Sequence, residues 1–283
     1  MGWDKLKVIL QDIKFQHSIF ALPFALMSAF LAAQGIPPLN KLLWILVAMV
    51  SARSSAMAFN RMVDFKYDRL NPRTQAWALP AGQINLWQYG LFLALNLGLF
   101  FFACYSLNSL AFYLAPVAIA IIFFYSFTKR LTYLNHLFLG LALGIAPVGA
   151  WIAIREELSI EALLLSGAVL FWVAGFDILY ACQDVIFDRQ QGLYSCPARF
   201  GIAGALVFAR RLHTGMIILL LLLVIVSPLK YLYLTGVLLV AIMLGYEHSL
   251  VKPHDLSRLN TAFFTLNGAV SLVLMVFTIM ELL

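Results

Sequence analysis

Long apolar runs, separated by shorter polar connections, fill most of this chain. Each run is close to the roughly 20 residues that an α-helix needs to cross a bilayer, so the pattern predicts nine membrane-spanning helices. The predicted spans are 18–34, 39–60, 86–106, 108–127, 134–154, 162–183, 205–227, 229–246 and 260–281. Pro116 and Pro147 lie within the fourth and fifth spans, where neighbouring helices can satisfy the carbonyls that proline frees. We therefore expect an all-α, polytopic membrane fold with its helices around a central cavity.

The first 16 residues follow a different pattern. They carry three lysines among apolar residues, which predicts an amphipathic helix on the membrane surface. The apolar run that follows is similar to the core of a signal peptide, but the polar lead through Lys14 and His17 is too long for one. We therefore interpret residues 18–34 as an uncleaved first span.

Composition supports this class of protein. The chain has 283 residues, of which 63% are hydrophobic and 11% are charged. It contains no polar segment large enough for a soluble domain, so residues 1–283 are predicted to form a single integral membrane domain. The excess basic residues lie in loops, which indicates membrane topology and argues against a nucleic-acid partner. The three cysteines form no CxxC motif and are expected to be reduced thiols.

Lysine and arginine counts predict the orientation. The N-terminal lead and the even-numbered connections hold 15 of the 19 basic residues, and the odd-numbered connections hold three. By the positive-inside rule, the N-terminus faces the cytoplasm and the C-terminus lies outside. The expected location is the cell's inner membrane, with the chain crossing it several times.

A polar stripe marks the end of the second span. Asn60, Asp64 and Asp68 recur at every fourth residue, a spacing that places them on one face of a helix. Arg53 lies seven residues before Asn60 and extends the stripe into the apolar run. Ionisable side chains at membrane depth are costly and usually line a cavity or a pathway. The stripe therefore predicts a functional site.

The same spacing returns 120 residues later. Asp184 and Asp188 repeat the earlier aspartate pair, and the run DFKYDR becomes DVIFDR. Asp177 and Tyr180 precede Asp184 by seven and four residues, which would place them on its stripe. Four spans separate the two motifs, so both are expected on the cytoplasmic side, as parts of two related halves around one pocket.

The paired acidic motifs predict a metal site. Clustered carboxylates repel one another unless a cation joins them, and Mg²⁺ is their ordinary partner. Arg73 and Lys129 lie beside them in specific motifs and would complete a cradle for a diphosphate. By contrast, Arg130, Arg210 and Arg211 are interpreted as topology signals. A diphosphate head above an apolar pocket is the arrangement expected for a prenyl diphosphate.

Together these motifs resemble those of the UbiA superfamily of intramembrane prenyltransferases. The resemblance is carried by Arg53-Ser54, Asn60-x3-Asp64-x3-Asp68, NPRT at 71–74, LPAG at 79–82, YSFTKR at 125–130 and Asp177-x2-Tyr180-x3-Asp184-x3-Asp188. The motifs span both halves of the chain in the family's order. Within the superfamily, the chain most resembles 4-hydroxybenzoate polyprenyltransferases. Its YACQD and SCPARFG runs are similar to the branch that serves menaquinone formation by the futalosine route.

The resemblance implies a reaction in quinone biosynthesis. A polyprenyl diphosphate bound through Mg²⁺ would lose its diphosphate, and a ring carbon of an aromatic acid would capture the allylic cation. The implied metal ligands are Asn60, Asp64, Asp68, Asp184 and Asp188, and the four aspartates and Tyr180 are the implied catalytic residues. The implied substrate-binding residues are Arg53, Asn60, Arg73, Tyr125, Lys129, Asp177 and Arg199. Arg53, or a basic residue near Lys129, would hold the acceptor carboxylate. The two tyrosines would flank the cation or pack in the core.

Two positions depart from the superfamily's pattern, and two alternatives stay open. Trp77 stands three residues after NPRT, where an arginine is usual. Arg199 would have to replace a lysine that is usual after the second acidic motif. Other prenyl acceptors, namely a naphthoate, haem or glycerophosphate, fit the same motifs. A secondary transporter with an acidic cation site is the alternative from another class, although transporters usually place such carboxylates near the bilayer midplane.

Overall fold

The computed structural model describes residues 3–13, 22–259 and 265–283 of the chain. These ranges contain eleven α-helices and no β-strand. The helices are α1 Trp3–Asp12, α2 Leu22–Ala33, α3 Leu39–Asp68, α4 Leu86–Leu107, α5 Ser109–Thr128, α6 Asn135–Arg155, α7 Ile160–Ala181, α8 Val185–Gln190, α9 Cys196–Val226, α10 Tyr231–Leu250 and α11 Asn267–Leu282. The predicted all-α class is confirmed.

The helices follow the predicted spans. Seven of them, α3 to α7, α9 and α10, are long and apolar enough to cross a membrane. The first and last predicted spans coincide with α2 and α11, which are apolar but shorter, and parts of both spans lie outside the described residues. The chain is a multi-pass membrane protein, while the count of nine spans stays a prediction. Helices α5 and α6 continue through Pro116 and Pro147.

Asparagine side chains cap the N-termini of α4 and α5. The side chain of Asn85 accepts from Gln88 N at 2.9 Å, and the side chain of Gln88 accepts from Asn85 N at 3.0 Å, which forms a capping box at the start of α4. Asn108 caps α5 by accepting from Ala111 N at 2.8 Å, and it donates to Ile152 O at 2.8 Å. The corner between α4 and α5 is thereby joined to the end of α6.

Helix α7 lies at the centre of the bundle. Its Trp172 is fully buried, with its ring 5.0 Å from the rings of both Phe24 and Phe176. Helix α6 approaches α7 closely because Gly140 has no side chain, and a Cβ there would lie 2.3 Å from the carbonyl oxygen of Leu170. Small residues allow such close backbone contact between membrane helices. This packing fixes the position of the second acidic motif at the end of α7.

Helix α1 packs against the protein. Ile9 and Ile13 are fully buried in a cluster with Ala58 of α3, Leu79 of the following loop and Tyr89 of α4. The apolar face of the predicted amphipathic helix therefore covers the loop between α3 and α4. Its predicted location at the membrane surface stays a prediction.

Candidate active site

The first acidic motif occupies the last turns of α3. Asn60, Asp64 and Asp68 share one face, and Asn60 Nδ2 donates to Asp64 Oδ2 at 2.8 Å. The other oxygen of Asp64 accepts from Arg130 Nη2 at 2.7 Å. At the end of the helix, the carbonyl of Asp68 accepts from Thr74 Oγ1 at 2.9 Å. The motif is thus bound both to the end of α5 and to the loop that follows α3.

The second acidic motif is not one continuous helix. A 3-10 turn, Cys182–Asp184, separates α7 from α8. A 3-10 turn has about three residues per turn, against about 3.6 in an α-helix, so the residues after it rotate away from the earlier stripe. Asp177, Tyr180 and Asp184 therefore do not follow one unbroken α-helix, although Tyr180 and Asp184 both contact Arg73. The turn leaves Asp184 and Asp188 buried.

Arg73 joins the two motifs. Its Nε donates to Asp184 Oδ1 at 3.0 Å and its Nη2 donates to Asp184 Oδ2 at 2.7 Å, a geometry in which the planar guanidinium matches both carboxylate oxygens. Asn71 orients this pair, since its Oδ1 accepts from Arg73 N at 2.9 Å. Burial lowers the pKa of Arg73, but its hydrogen bonds to Asp184 and the carboxylate charge raise it above the ordinary value. Arg73 therefore stays charged.

Lys129 makes a corresponding contact with Asp188. The Nζ of Lys129 lies 2.8 Å from Asp188 Oδ1, and Ser195 Oγ donates to Asp188 Oδ2 at 2.8 Å. Tyr194 N donates to the carbonyl of Lys129 at 2.8 Å. Ser195 is also the N-cap of α9. The buried carboxylate of Asp188 thus holds the end of α5 against the start of α9.

These contacts surround a polar pocket of about 150 Å³. Amide, hydroxyl and aromatic groups line part of it, and its charged residues are Arg61, Asp64, Asp68, Arg73, Lys129 and Arg130. Four basic groups against two carboxylates favour an anion with several oxygens, because arginine and lysine bind phosphate oxygens through charge-assisted hydrogen bonds.

A larger apolar cavity of about 460 Å³ follows along the same helices. Side chains of α3 to α7 form most of its wall, and Arg53 and Tyr125 belong to its lining. Arg53 lies two helical turns before Asn60 on α3, and Tyr125 lies one turn before Lys129 on α5, so both occupy the end nearest the polar pocket. The two spaces together suit a molecule with an anionic head and an apolar tail.

The motifs that form this site match a known family. The model of the UbiA prenyltransferase family matches residues 21–269 of the chain. The chain belongs to this family. The resemblance stated from the sequence is therefore confirmed.

Relatives within the UbiA family cover most of the chain. The 4-hydroxybenzoate octaprenyltransferase of Marinobacter nauticus is 31% identical over 241 residues, which are 85% of this chain and 82% of the relative. The protein of the same name from Aliivibrio salmonicida is 29% identical over 270 residues, 94% of each chain.

Solved UbiA structures share the fold. The apo structure of a UbiA homologue from Aeropyrum pernix K1 has a TM-score of 0.86 at 33% identity and covers 95% of this chain and 99% of its own. A UbiA homologue from Archaeoglobus fulgidus bound to DMAPP and Mg²⁺ has a TM-score of 0.75 at 20% identity, over 97% and 98% of the two chains. At that identity, the second likeness shows the fold alone.

The structure gathers most of the residues that the sequence assigned to the UbiA-type site. Asn60, Asp64, Asp68, Arg73 and Lys129 line the polar pocket. Asp184 binds Arg73, and Asp188 binds Lys129. Arg53 and Tyr125 line the apolar cavity at the end nearest the polar pocket. The ring of Tyr180 lies 5.5 Å from the Arg73 guanidinium carbon.

Two predicted residues lie elsewhere. Asp177 contacts His136, with its Oδ2 at 2.6 Å from His136 Nδ1, and the other ring nitrogen of His136 accepts from Cys196 N at 3.3 Å. Arg199 is exposed on the first turn of α9, apart from the charged lining of the polar pocket as the described residues form it. A role for Arg199 at the diphosphate has no geometric support here.

Several residues of the site were missed. Arg130 binds Asp64, so its interpretation as a topology signal is incomplete, and its position next to Lys129 was the available clue. The guanidinium carbon of Arg61 lies 3.5 Å from the centre of the Trp77 ring. The indole of Trp77, one of the two departures from the pattern of the resemblance, therefore stacks on a neighbouring arginine. The contact of His136 with the start of α9 had no signal in the sequence.

The carboxylates fit a divalent cation in their chemistry. Asp68 Oδ2 is buried and finds no hydrogen-bond partner among the described residues, and Arg61 Nη1 lies 4.0 Å from it. Within the same ranges, no three His, Cys, Asp or Glu side chains gather closely enough to hold a metal alone. Mg²⁺ prefers oxygen ligands and usually shares itself between a few carboxylates and substrate phosphates. The few carboxylates at this pocket could therefore hold Mg²⁺ together with the phosphates of a substrate.

Proposed function

We propose that this protein transfers a polyprenyl group from a prenyl diphosphate to the ring of a 4-hydroxybenzoate-type aromatic acid in quinone biosynthesis. The observation that carries the proposal is the succession of two cavities along α3 and α5, a charged pocket followed by an apolar one. The names of the relatives from Marinobacter nauticus and Aliivibrio salmonicida support the acceptor. The YACQD and SCPARFG runs favour menaquinone as the final product over ubiquinone.

The diphosphate would occupy the polar pocket. Lys129, just after α5, and Arg73, in the loop after α3, supply positive charge, and each is already fixed by an aspartate of the second motif. Arg130 and Arg61 add charge from the end of α5 and from α3. Because these cations are held in place before the substrate arrives, they stabilise the leaving diphosphate without a reorganisation cost during the reaction.

Mg²⁺ would be held by Asn60, Asp64 and Asp68 on α3 and by Asp184 and Asp188 after α7. When bound, it supplies positive charge to the leaving diphosphate as a Lewis acid. The buried Oδ2 of Asp68, which has no hydrogen-bond partner among the described residues, is the observation of this structure that supports the assignment. The ion pairs of the other aspartates with Arg73, Lys129 and Arg130 hold these carboxylates in position.

The transfer would take place between the two cavities. The bond from the prenyl C1 to the diphosphate oxygen breaks, the ring carbon forms a new bond to C1, and that ring carbon loses its proton. Tyr180, beside Arg73, and Tyr125, at the head of the apolar cavity, offer aromatic faces to the allylic cation. The apolar wall keeps water from the cation, and Arg53 would bind the acceptor carboxylate.

The proposed orientation places both acidic motifs at the cytoplasmic face of the inner membrane. The contacts of Arg73 with Asp184 and of Lys129 with Asp188 bring the two motifs to one end of the bundle. The excess of lysine and arginine at that end supports its assignment to the cytoplasm. We also propose that residues 1–283 act as one domain, since the site draws on helices from both halves.

Purified protein in lipid nanodiscs tests the proposal. Labelled prenyl diphosphate is supplied with 4-hydroxybenzoate, a naphthoate or no acceptor, each with Mg²⁺ or with EDTA. We expect a C-prenylated 4-hydroxybenzoate and an equal amount of released diphosphate, both dependent on Mg²⁺. Transfer to the naphthoate alone would show that a naphthoate, and not 4-hydroxybenzoate, is the acceptor. Intact prenyl diphosphate in every sample would contradict prenyl transfer altogether.

A further inference from the structure

Asp12, at the end of α1, is buried beside the proposed site. Only 4% of its side chain is exposed. Its Oδ1 accepts from Ala78 N at 2.9 Å, and its Oδ2 accepts from the hydroxyl of Tyr89. Helix α1 precedes residues 21–269, the stretch that the UbiA family model matches. This carboxylate therefore comes from outside the matched family core and still reaches the wall of the polar pocket.

The residue that links Asp12 to the pocket is Arg61. Its Nε lies 3.6 Å from Asp12 Oδ2, and its Nη2 donates to the backbone carbonyl of Asp12 at 3.2 Å. The guanidinium carbon lies 3.5 Å from the centre of the Trp77 ring. On its other side, Arg61 Nη1 lies 4.0 Å from Asp68 Oδ2, beyond hydrogen-bonding distance. Arg61 thus lies between two carboxylates, and Asp12 and Trp77 hold it.

We propose that Asp12 is a positioning residue that keeps Arg61 off Asp68 and so leaves the Asp68 carboxylate free for a divalent cation. This inference rests on the metal role given to Asp68 in the proposed function. Asp12 acts through Arg61 and touches neither substrate nor metal.

Charge explains why the arrangement needs Asp12. A guanidinium with one carboxylate neighbour moves toward it, because opposite charges in a partly buried site attract strongly. The negative charge of Asp12 attracts Arg61 from one side and balances the attraction of Asp68 on the other. Arg61 therefore stays 4.0 Å from Asp68 Oδ2. Without that negative charge, Arg61 would close on Asp68 and occupy the oxygen that now has no hydrogen-bond partner.

Trp77 also helps to hold Arg61 in this position. An arginine at position 77 would place a second positive charge against Arg61. The indole instead offers a neutral face on which the guanidinium stacks. Trp77 and Asp12 therefore act together on Arg61. Trp77 packs against the face of its guanidinium, and Asp12 supplies the opposite charge.

The test measures Mn²⁺ binding directly, by EPR of the free ion, in the full-length protein without substrate. Asp12→Asn keeps the size of the side chain and an acceptor for Ala78 N but removes the charge. We expect its Mn²⁺ dissociation constant to rise about tenfold, as a new ion pair between Arg61 and Asp68 competes with the metal. Asp4→Asn, the same change at an exposed position of α1, is the matched control and should bind as the wild type does.

The double variant Asp12→Asn/Arg61→Gln separates positioning from damage to the fold. It removes the cation that would block Asp68, so we expect Mn²⁺ affinity to return to within about threefold of the wild type. If Asp12→Asn alone gives no folded protein, the double variant decides. Unchanged affinity in Asp12→Asn, or no recovery in the double variant, would overturn the proposal.

Prenyl transfer, measured on the same samples, keeps this outcome apart from the proposed function. A wild type that prenylates 4-hydroxybenzoate while Asp12→Asn binds Mn²⁺ normally removes the role of Asp12 and leaves the function standing. A wild type without transferase activity, together with weakened Mn²⁺ binding in Asp12→Asn, removes the function and leaves the role of Asp12 standing.

Discussion

Arg73 and Asp184 lie 111 residues apart in the sequence and are joined by two hydrogen bonds, at 3.0 and 2.7 Å. The pair connects the loop after α3 to the turn after α7, so it assembles one site from the two halves of the chain. The first prediction follows from its two-point geometry.

Arg73→Lys should lower kcat/KM for the prenyl diphosphate by about tenfold or more, because an ammonium cannot match both oxygens of Asp184. Arg69→Lys, at the C-cap of α3, is the matched control because Arg69 is also exposed but forms no ion pair within the described residues, and it should keep normal kinetics. The measurement is the rate of diphosphate release against donor concentration. Equal losses in the two variants would show that the contact with Asp184 has no special role.

The second prediction concerns one aspartate from each motif. Asp64→Asn and Asp184→Asn should each lower kcat by roughly a hundredfold, the order seen when a principal electrostatic stabiliser is removed. The double variant should be little worse than the poorer single one, since residues that act as a unit are not additive. Specific activity per folded protein across a Mg²⁺ titration measures this, with partial rescue expected at high Mg²⁺. Near-normal activity in either single variant would sink the two-motif mechanism.

The third prediction tests the acceptor site. Arg53→Leu should raise the KM for the aromatic acid by about tenfold or more and change the KM for the prenyl diphosphate little, because the guanidinium would face the acceptor carboxylate. Arg53→Lys should fall between the two, as it keeps the charge. A larger effect on the donor than on the acceptor would move Arg53 to the diphosphate.

The fourth prediction uses two glycines. Gly149 of α6 lines the apolar cavity and Gly98 of α4 does not, and a Cβ at either position would meet nothing within 4 Å. Gly149→Leu should raise the KM for a long prenyl diphosphate roughly tenfold, the scale of an overpacking cost, and affect geranyl diphosphate much less. Gly98→Leu should leave both unchanged. The same response in the two variants would show that the cavity does not hold the tail.

The fifth prediction concerns orientation. Gln75→Cys and Gln191→Cys, both in exposed loops beside the acidic motifs, should react with a membrane-impermeant thiol reagent from the cytoplasmic side only. Glu157→Cys, after α6, should react from the outside. The native Cys104, Cys182 and Cys196 are buried, so their background labelling should be low. Reaction of the two acidic loops from opposite sides would rule out a shared site.

Local periodicity explains what the sequence revealed about the fold and the first motif. The apolar runs predicted the helices because membrane helices need a minimum apolar length. The interval of four placed Asn60, Asp64 and Asp68 on one face because α3 continues through all three. At Asp184 the interval of four is less informative, because a 3-10 turn changes the rotation per residue and nothing in the spacing indicates that turn.

Long-range contacts account for most of what the sequence left out. Arg130 binds a carboxylate 66 residues away, and His136 contacts a backbone amide 60 residues away. The amphipathic pattern of α1 predicted an apolar face but did not say that this face covers a protein loop. It also did not show that Asp12 is buried. Such partners depend on how helices pack, which no single stretch of sequence encodes.

Part of the apolar cavity wall consists of side chains that are also open to the surroundings of the bundle. Leu46, Leu114 and Val117 line the cavity and are 39%, 40% and 54% exposed. A prenyl tail that outgrows the cavity can therefore continue among lipid chains, where further isoprene units meet hydrocarbon at no added cost. The cavity wall would then not limit the length of the prenyl tail. If the cavity holds the tail, its open wall sets no upper limit to tail length, and the chain should accept prenyl diphosphates with different numbers of isoprene units.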